Sequence, residues 1–218
     1  IPLRHPAIAH YVAVDGARAS RVLAAGVGPD RVVVIPNAVD LARFPLRHSV
    51  PNGRRVLCIV KRAGLDETVA IVEHVAPQVG WTADVAGAGV AREIDDMASA
   101  LQRYDLVIAS GRCALEAIAT GAAVIVSDDN RLAGLASDDT WPALRRDNLG
   151  FDALTAPLSA DRLAALLSAV DLDQAYRFAM RVRPTLSLEA AATRVDVLYD
   201  QVVRTHSLGV DPARAAVW

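Results

Sequence analysis

Residues 104–128 read YDLVIASGRCALEAIATGAAVIVSD, and their reading decides the fold. A strand-like apolar run at 106–109 leads through a Ser-Gly-Arg turn into a helix that carries Glu116. Gly121 stops that helix, and a second apolar strand follows at 122–126. A strand passing through a glycine turn into a helix aims free backbone N–H groups and the positive end of the helix dipole at one point, where an anion is stabilised. The stretch therefore predicts a phosphate site at Ser110, Gly111, Arg112 and Cys113.

Outward from this stretch, strands and helices alternate. Short β-branched runs at 11–14 and 32–35 flank a helical segment that ends at Gly26. The text from 45 to 55 turns to Pro, Asn, Gly and basic residues, which predicts a boundary there. Beyond it come a continuous apolar strand at 55–60, a helix at 66–79, a strand at 83–86 and a polar helix at 91–103. Residues after 128 are expected to form a long loop with no sustained period, followed by three helices at 160–170, 173–183 and 188–205 and a tail. Continuous rather than alternating apolar strands are covered on both faces, and parallel neighbours need crossover connections. The expected fold is α/β, a parallel doubly wound Rossmann-like sheet with a helical C-terminus. Its expected divisions are residues 1–50, residues 51–206 and a tail at 207–218.

Composition narrows the function. The 218 residues are 53% hydrophobic and 22% charged, enough apolar surface for a packed core. A formal net charge of −2 and 5% aromatic residues argue against nucleic-acid binding, which needs a basic field or stacking platforms. No apolar run approaches the roughly 20 residues that span a bilayer, so the expected location is the cytoplasm, with peripheral association at the inner face of the membrane as a further expectation. Cys58 and Cys113 are far apart and lack metal-ligand spacing to any histidine, so they are read as free thiols and no metal site is expected. None of the five histidines is given a catalytic role.

The residue types define the chemistry of the turn. Gly111 lets the backbone approach a diphosphate, the N–H groups of Arg112 and Cys113 donate, and the Arg112 guanidinium adds a charge-assisted contact. Lys61 and Arg62 stand at the carboxyl end of another strand, where ligands of such sheets bind. A carboxylate near a phosphate must be directed elsewhere, and Glu116 suits the vicinal hydroxyls of a ribose. Phosphate and ribose together make a nucleotide. On spacing alone, Arg112 and Glu116 also fit an exposed i, i+4 pair, and Lys61 and Arg62 fit solvated charges.

Two stretches carry a resemblance, YVAVDGARASRVLAAGVGPDRVVVIPNAVDLARF and YDLVIASGRCALEAIATGAAVIVSD. Together about a quarter of the chain, they resemble the C-terminal, donor-binding half of a GT-B fold retaining glycosyltransferase of the group 1, family 4 type. The first is similar to the passage out of that family's N-terminal domain, with its IPNxVDxxxF segment, and the second to its donor-site helix. The resemblance implies that Lys61, Arg62, Ser110, Gly111, Arg112 and Cys113 lie at the donor diphosphate and that Glu116 holds the donor ribose. It also implies a nucleotide-sugar that is a substrate, with no cofactor, and a glycan or lipid-linked acceptor of cell-surface polysaccharide synthesis. Three departures stand out: Ile108 occupies the place of a second glutamate, Lys61-Arg62 replaces a glycine-arginine pair, and Glu67 lies near the place of a lysine.

The chain starts at Ile1 and is expected to be part of a longer protein, whose N-terminal acceptor domain would be a further partner. The donor half alone is expected to bind nucleotide without completing transfer. Two other functions remain open on these residues, a non-catalytic nucleotide-binding module and a nucleotide-sugar epimerase of the same fold.

Overall fold

The structure, a computed structural model, describes residues 5, 8–49, 53–62 and 66–207. The chain begins with β1 (Tyr11–Ala13), α1 (Gly16–Ala24), β2 (Val32–Val34), β3 (Arg55–Ile59) and α2 (Asp66–Gln78). It continues through β4 (Thr82–Ala86), α3 (Met97–Leu101), β5 (Leu106–Ala109), α4 (Gly111–Ala119), β6 (Ala123–Asp128) and β7 (Arg131–Leu135). The remaining elements are α5 (Trp141–Arg146), β8 (Ala156–Pro157), α6 (Ala160–Ala169), α7 (Leu172–Val182) and α8 (Leu188–Ser207).

Two compact units form. One joins the described residues up to Pro36 with those from Leu188 to Ser207, and the other covers the described residues from Asn37 to Ser187. In the first, β1 and β2 pair in parallel around α1, and Arg194 of α8 donates to the Val34 carbonyl at 2.9 Å. The sequence boundary expected at 50/51 falls inside the second unit. Residues 39–47 belong there because backbone bonds hold them: Val39 N–H reaches the Leu186 carbonyl at 2.7 Å, and Arg47 N–H reaches Thr120 at 3.1 Å. The expected tail, residues 207–218, lies outside the described residues except for Ser207, the last residue of α8.

The second unit is built on a six-stranded sheet of order β4-β3-β5-β6-β7-β8. The first four strands are parallel, β7 pairs antiparallel with β6, and β8 pairs antiparallel with β7. Successive strand residues face opposite sides, and the register sorts them into two layers. Val56, Leu106 and Ala123 stand side by side, as do Cys58, Ile108 and Ile125. These pack with Val72, Val75 and Ala76 of α2 and Leu163 and Leu167 of α6. The intervening row, Leu57, Val107 and Val124, packs on the other side with Leu115 and Ile118 of α4 and Phe178 of α7. Each fully buried Leu or Ile contributes about 1.5–3 kcal/mol, so both covers are needed. This double covering is why the strands read as continuous apolar runs.

Helix α4 ends in a Schellman motif. Gly121, at φ 88°, donates to the Ile118 carbonyl at 2.9 Å and Ala122 donates to Ala117 at 3.1 Å. Left-handed backbone and tight contact with the Tyr176 ring both require glycine at 121.

Two segments differ from expectation. The long loop expected after 128 contains β7 and α5, and Asp129 and Asn130, at φ 54° and 56°, make the tight turn of a β6–β7 hairpin. Gly134 interrupts the β7 pattern, and six residues of α5 are too few to display a helical period. The polar helix expected at 91–103 is reduced to α3, because the Asp96 carboxylate accepts from the Ser99 N–H at 3.2 Å and starts the helix there.

Candidate functional site

Parallel strands β3, β5 and β6 all deliver their carboxyl ends to one rim, where β5 passes through Ser110 into α4. Ser110 holds the N-cap position in extended conformation, yet its side chain caps nothing. Its hydroxyl donates to Asp128 Oδ2 at 2.7 Å and accepts from Lys61 Nζ at 2.6 Å. Lys61 Nζ also donates to the Ser110 carbonyl at 2.7 Å. The N-terminus of α4 is thus left without a side-chain cap beside an ammonium group, the arrangement that suits an anion.

Gly111 sits at φ 58°, and a Cβ there would lie 3.6 Å from Lys61 Nζ. Its N–H is taken by the Leu149 carbonyl at 2.7 Å, so the helix amides that point onward belong to Arg112 and Cys113. Leu149 is fully buried and left-handed, at φ 51°, after Asn148 at 55°. A left-handed Leu costs about 1–2 kcal/mol, and such strain gathers at working sites. Asn148 is buried and accepts from Asn37 N–H at 3.2 Å, while Arg145 donates to the Asn37 carbonyl at 3.0 Å. The asparagine of the IPNxVDxxxF segment is thereby tied to the loop that fixes Gly111.

Lys61 is aimed by its own turn. The glycines after β4 let backbone approach backbone, since a Cβ on Gly89 would lie 2.2 Å from the Arg62 carbonyl, and Gly89 N–H bonds Val60 at 2.9 Å. Arg62 behaves differently: its guanidinium meets Asp129 at 3.3 Å and is 60% exposed.

Glu116 lies half-buried on α4, and its carboxylate makes no hydrogen bond or ion pair among the described residues. Burial raises its pKa above the ordinary value, with Arg112 and then Arg43 opposing. An acceptor held with both oxygens unclaimed suits a ligand with two hydroxyl donors. Burial also raises the Cys113 thiol, against which the Lys61 charge acts, and pushes Cys58 up to about 12.

The structure joins Lys61 to Ser110, next to Gly111, places Arg112 and Cys113 in the first turn of α4 and Glu116 further along it, and draws Arg62 to Asp129. Sequence reasoning missed Asp128, Asp129, Leu149 and Arg43. Two consecutive acids closing an apolar strand were a usable signal for the first two; nothing local marks Leu149. Among the described residues, no group of three or more His, Cys, Asp or Glu side chains could hold a metal, and no helix is long and apolar enough to cross a membrane.

No family model matches the chain, and no curated protein matches it in sequence. Solved structures do match. Anabaena Alr3699/HepE in complex with UDP and glucose aligns with a TM-score of 0.61 at 14% identity over 88% of this chain and 63% of that one. The same protein in complex with UDP-glucose gives a TM-score of 0.61 at 15% identity over 88% of this chain, covering 64% of its own length. A point mutant of S. aureus TarM in complex with Fondaparinux, alpha-GlcNAc-glycerol and UDP gives 0.54 at 13% over 87% of this chain, covering 43% of its own length. The chain spans less than two thirds of the length of these proteins. At this identity the likeness is one of fold, and the α/β fold with a mostly parallel sheet and helical C-terminus, expected from the alternation of strands and helices, is the fold this chain shares with them.

Proposed function

We propose that the chain carries the donor-binding part of a glycosyltransferase that moves a sugar from a nucleotide-sugar to a glycan or lipid-linked acceptor in polysaccharide synthesis. The observation that carries this reading is the uncapped start of α4 with Lys61 drawn onto it and an unpartnered, half-buried Glu116 carboxylate on the same helix. In this role the amides of Arg112 and Cys113, Lys61 and the Arg112 guanidinium hold the diphosphate, Gly111 permits its approach, and Arg62 stands at the rim. Glu116 accepts from the ribose hydroxyls. Charge that develops on the departing nucleoside diphosphate is then met by donors fixed before the reaction, which lowers the barrier without reorganisation. The fold shared with structures holding UDP and UDP-glucose supports a nucleotide-sugar as the ligand.

Titration calorimetry with uridine and guanosine diphosphates tests the reading. Wild type binds at least one of them, and Glu116→Ala weakens it about tenfold, the worth of a charge-assisted hydrogen bond. Absence of binding to wild type, or affinity unchanged from wild type in Glu116→Ala and Arg112→Ala, rejects the assignment.

A further inference from the structure

Two cations of this site, Lys61 and Arg62, already have anions. Lys61 Nζ lies 3.6 Å from Asp128 Oδ2, and Arg62 lies 3.3 Å from Asp129 Oδ2. The two basic side chains at the end of β3 are therefore each matched by a carboxylate, which an incoming anion must compete with. Asp128 is the more enclosed of the two aspartates, with a side chain 19% exposed against 41% for Asp129. The β6–β7 turn holds it in place: Asn130 donates to Glu67 at 3.1 Å, and the Thr68 hydroxyl donates to Asn130.

An ammonium has three donors. Two of those on Lys61 are spent on Ser110, and the carboxylate of Asp128 stands 3.6 Å from the same ammonium while accepting from the Ser110 hydroxyl. A phosphate oxygen approaching the start of α4 meets the same ammonium and the same hydroxyl. We propose that Asp128 is an affinity-setting residue of the donor site, a resident carboxylate that occupies the place of a phosphate oxygen on Lys61 and Ser110 and is exchanged for it when a diphosphate binds. The affinity of the site is then a difference between two anions competing for one cation, which keeps binding reversible for a product that must leave. This inference rests on the donor-site reading.

The test uses inorganic pyrophosphate and uridine diphosphate as probes on the full chain. Asp128→Asn keeps the shape and a hydrogen-bond acceptor for Ser110 but removes the charge. It is expected to bind both probes about fivefold or more tightly than wild type, the scale of one partly exposed ion pair plus the relieved repulsion. In a Lys61→Met background the same change is expected to bring a clearly smaller gain, from relieved repulsion alone, because the cation under competition is absent. Unchanged or weaker binding by Asp128→Asn, beside a wild type that binds, overturns the exchange and leaves the donor site standing, as does a gain that is undiminished without Lys61. Failure of wild type and both variants to bind either probe overturns the exchange together with the donor-site reading. A readout on wild type is independent of the variants: the Asp128 carboxyl carbon resonance shifts on saturation with pyrophosphate, and a resonance that stays in place overturns the exchange.

Discussion

Lys61 Nζ donates to both the carbonyl and the hydroxyl oxygen of Ser110, at 2.7 and 2.6 Å, across 49 residues of sequence. One side chain thus joins the carboxyl ends of β3 and β5, and it does so at the point where α4 begins. Lys61→Met is expected to weaken binding of a nucleoside diphosphate about tenfold, through loss of the cation. Its melting temperature is expected to fall by only a few degrees, since Lys61 is partly exposed. Titration calorimetry and thermal melts on the same samples read the two effects separately.

Glu116 links stability to pH. Its carboxyl binds a proton more tightly in the folded chain than in the unfolded one, because burial raises its pKa above the ordinary 4.5. Folded-state proton uptake then exceeds that of the unfolded chain in this window, so this residue's contribution to stability falls as pH rises through it. Glu116→Gln is accordingly expected to melt higher than wild type at about pH 7 and to lose that advantage at about pH 4, where the folded-state carboxyl is protonated. Melts at the two pH values check the sign.

Gly111 is constrained by its backbone. At φ 58° an alanine is strained by about 1–2 kcal/mol, which lowers the melting temperature of Gly111→Ala by about 2–8 °C in a chain of this size. Its methyl group also faces Lys61 Nζ at 3.6 Å, so affinity for pyrophosphate is expected to fall with stability. A variant that melts like wild type contradicts the conformation assigned to the turn.

The two thiols differ in exposure. Cys58 is buried in the sheet with its pKa pushed up to about 12, so its thiolate fraction at about pH 8 is negligible. Cys113 is half-buried at the start of α4. Ellman's reagent is expected to modify Cys113 slowly and Cys58 only on unfolding, with Cys113 protected by bound nucleoside diphosphate. Equal native rates contradict the burial of Cys58.

Particular residues show why some of this was legible in the sequence. Strands β3, β5 and β6 announce themselves because both their faces are covered, which leaves no polar alternation in VLCI, LVIA or AVIV. Glycine at 111 and 121 marked both ends of α4 for steric reasons that act within a few residues. What stayed hidden depends on distant partners. The β7 strand is defined by pairing with β6 and β8 and carries Gly134 near its end, and α5 is shorter than two turns. At the site, Lys61 and Ser110 could be named from their strand ends, but their contact, the pairing of Arg62 with Asp129, and the hold of Leu149 on Gly111 arise only from the sheet order and the hairpin turn.

A crystal structure of the chain grown with a saturating nucleoside diphosphate tests the central claim most directly. The account expects phosphate oxygens within about 3 Å of the Arg112 and Cys113 amides and of Lys61 Nζ, with the Glu116 carboxylate on the ribose hydroxyls. A nucleotide bound elsewhere in the fold, with the start of α4 empty and Glu116 without a ligand contact, contradicts it.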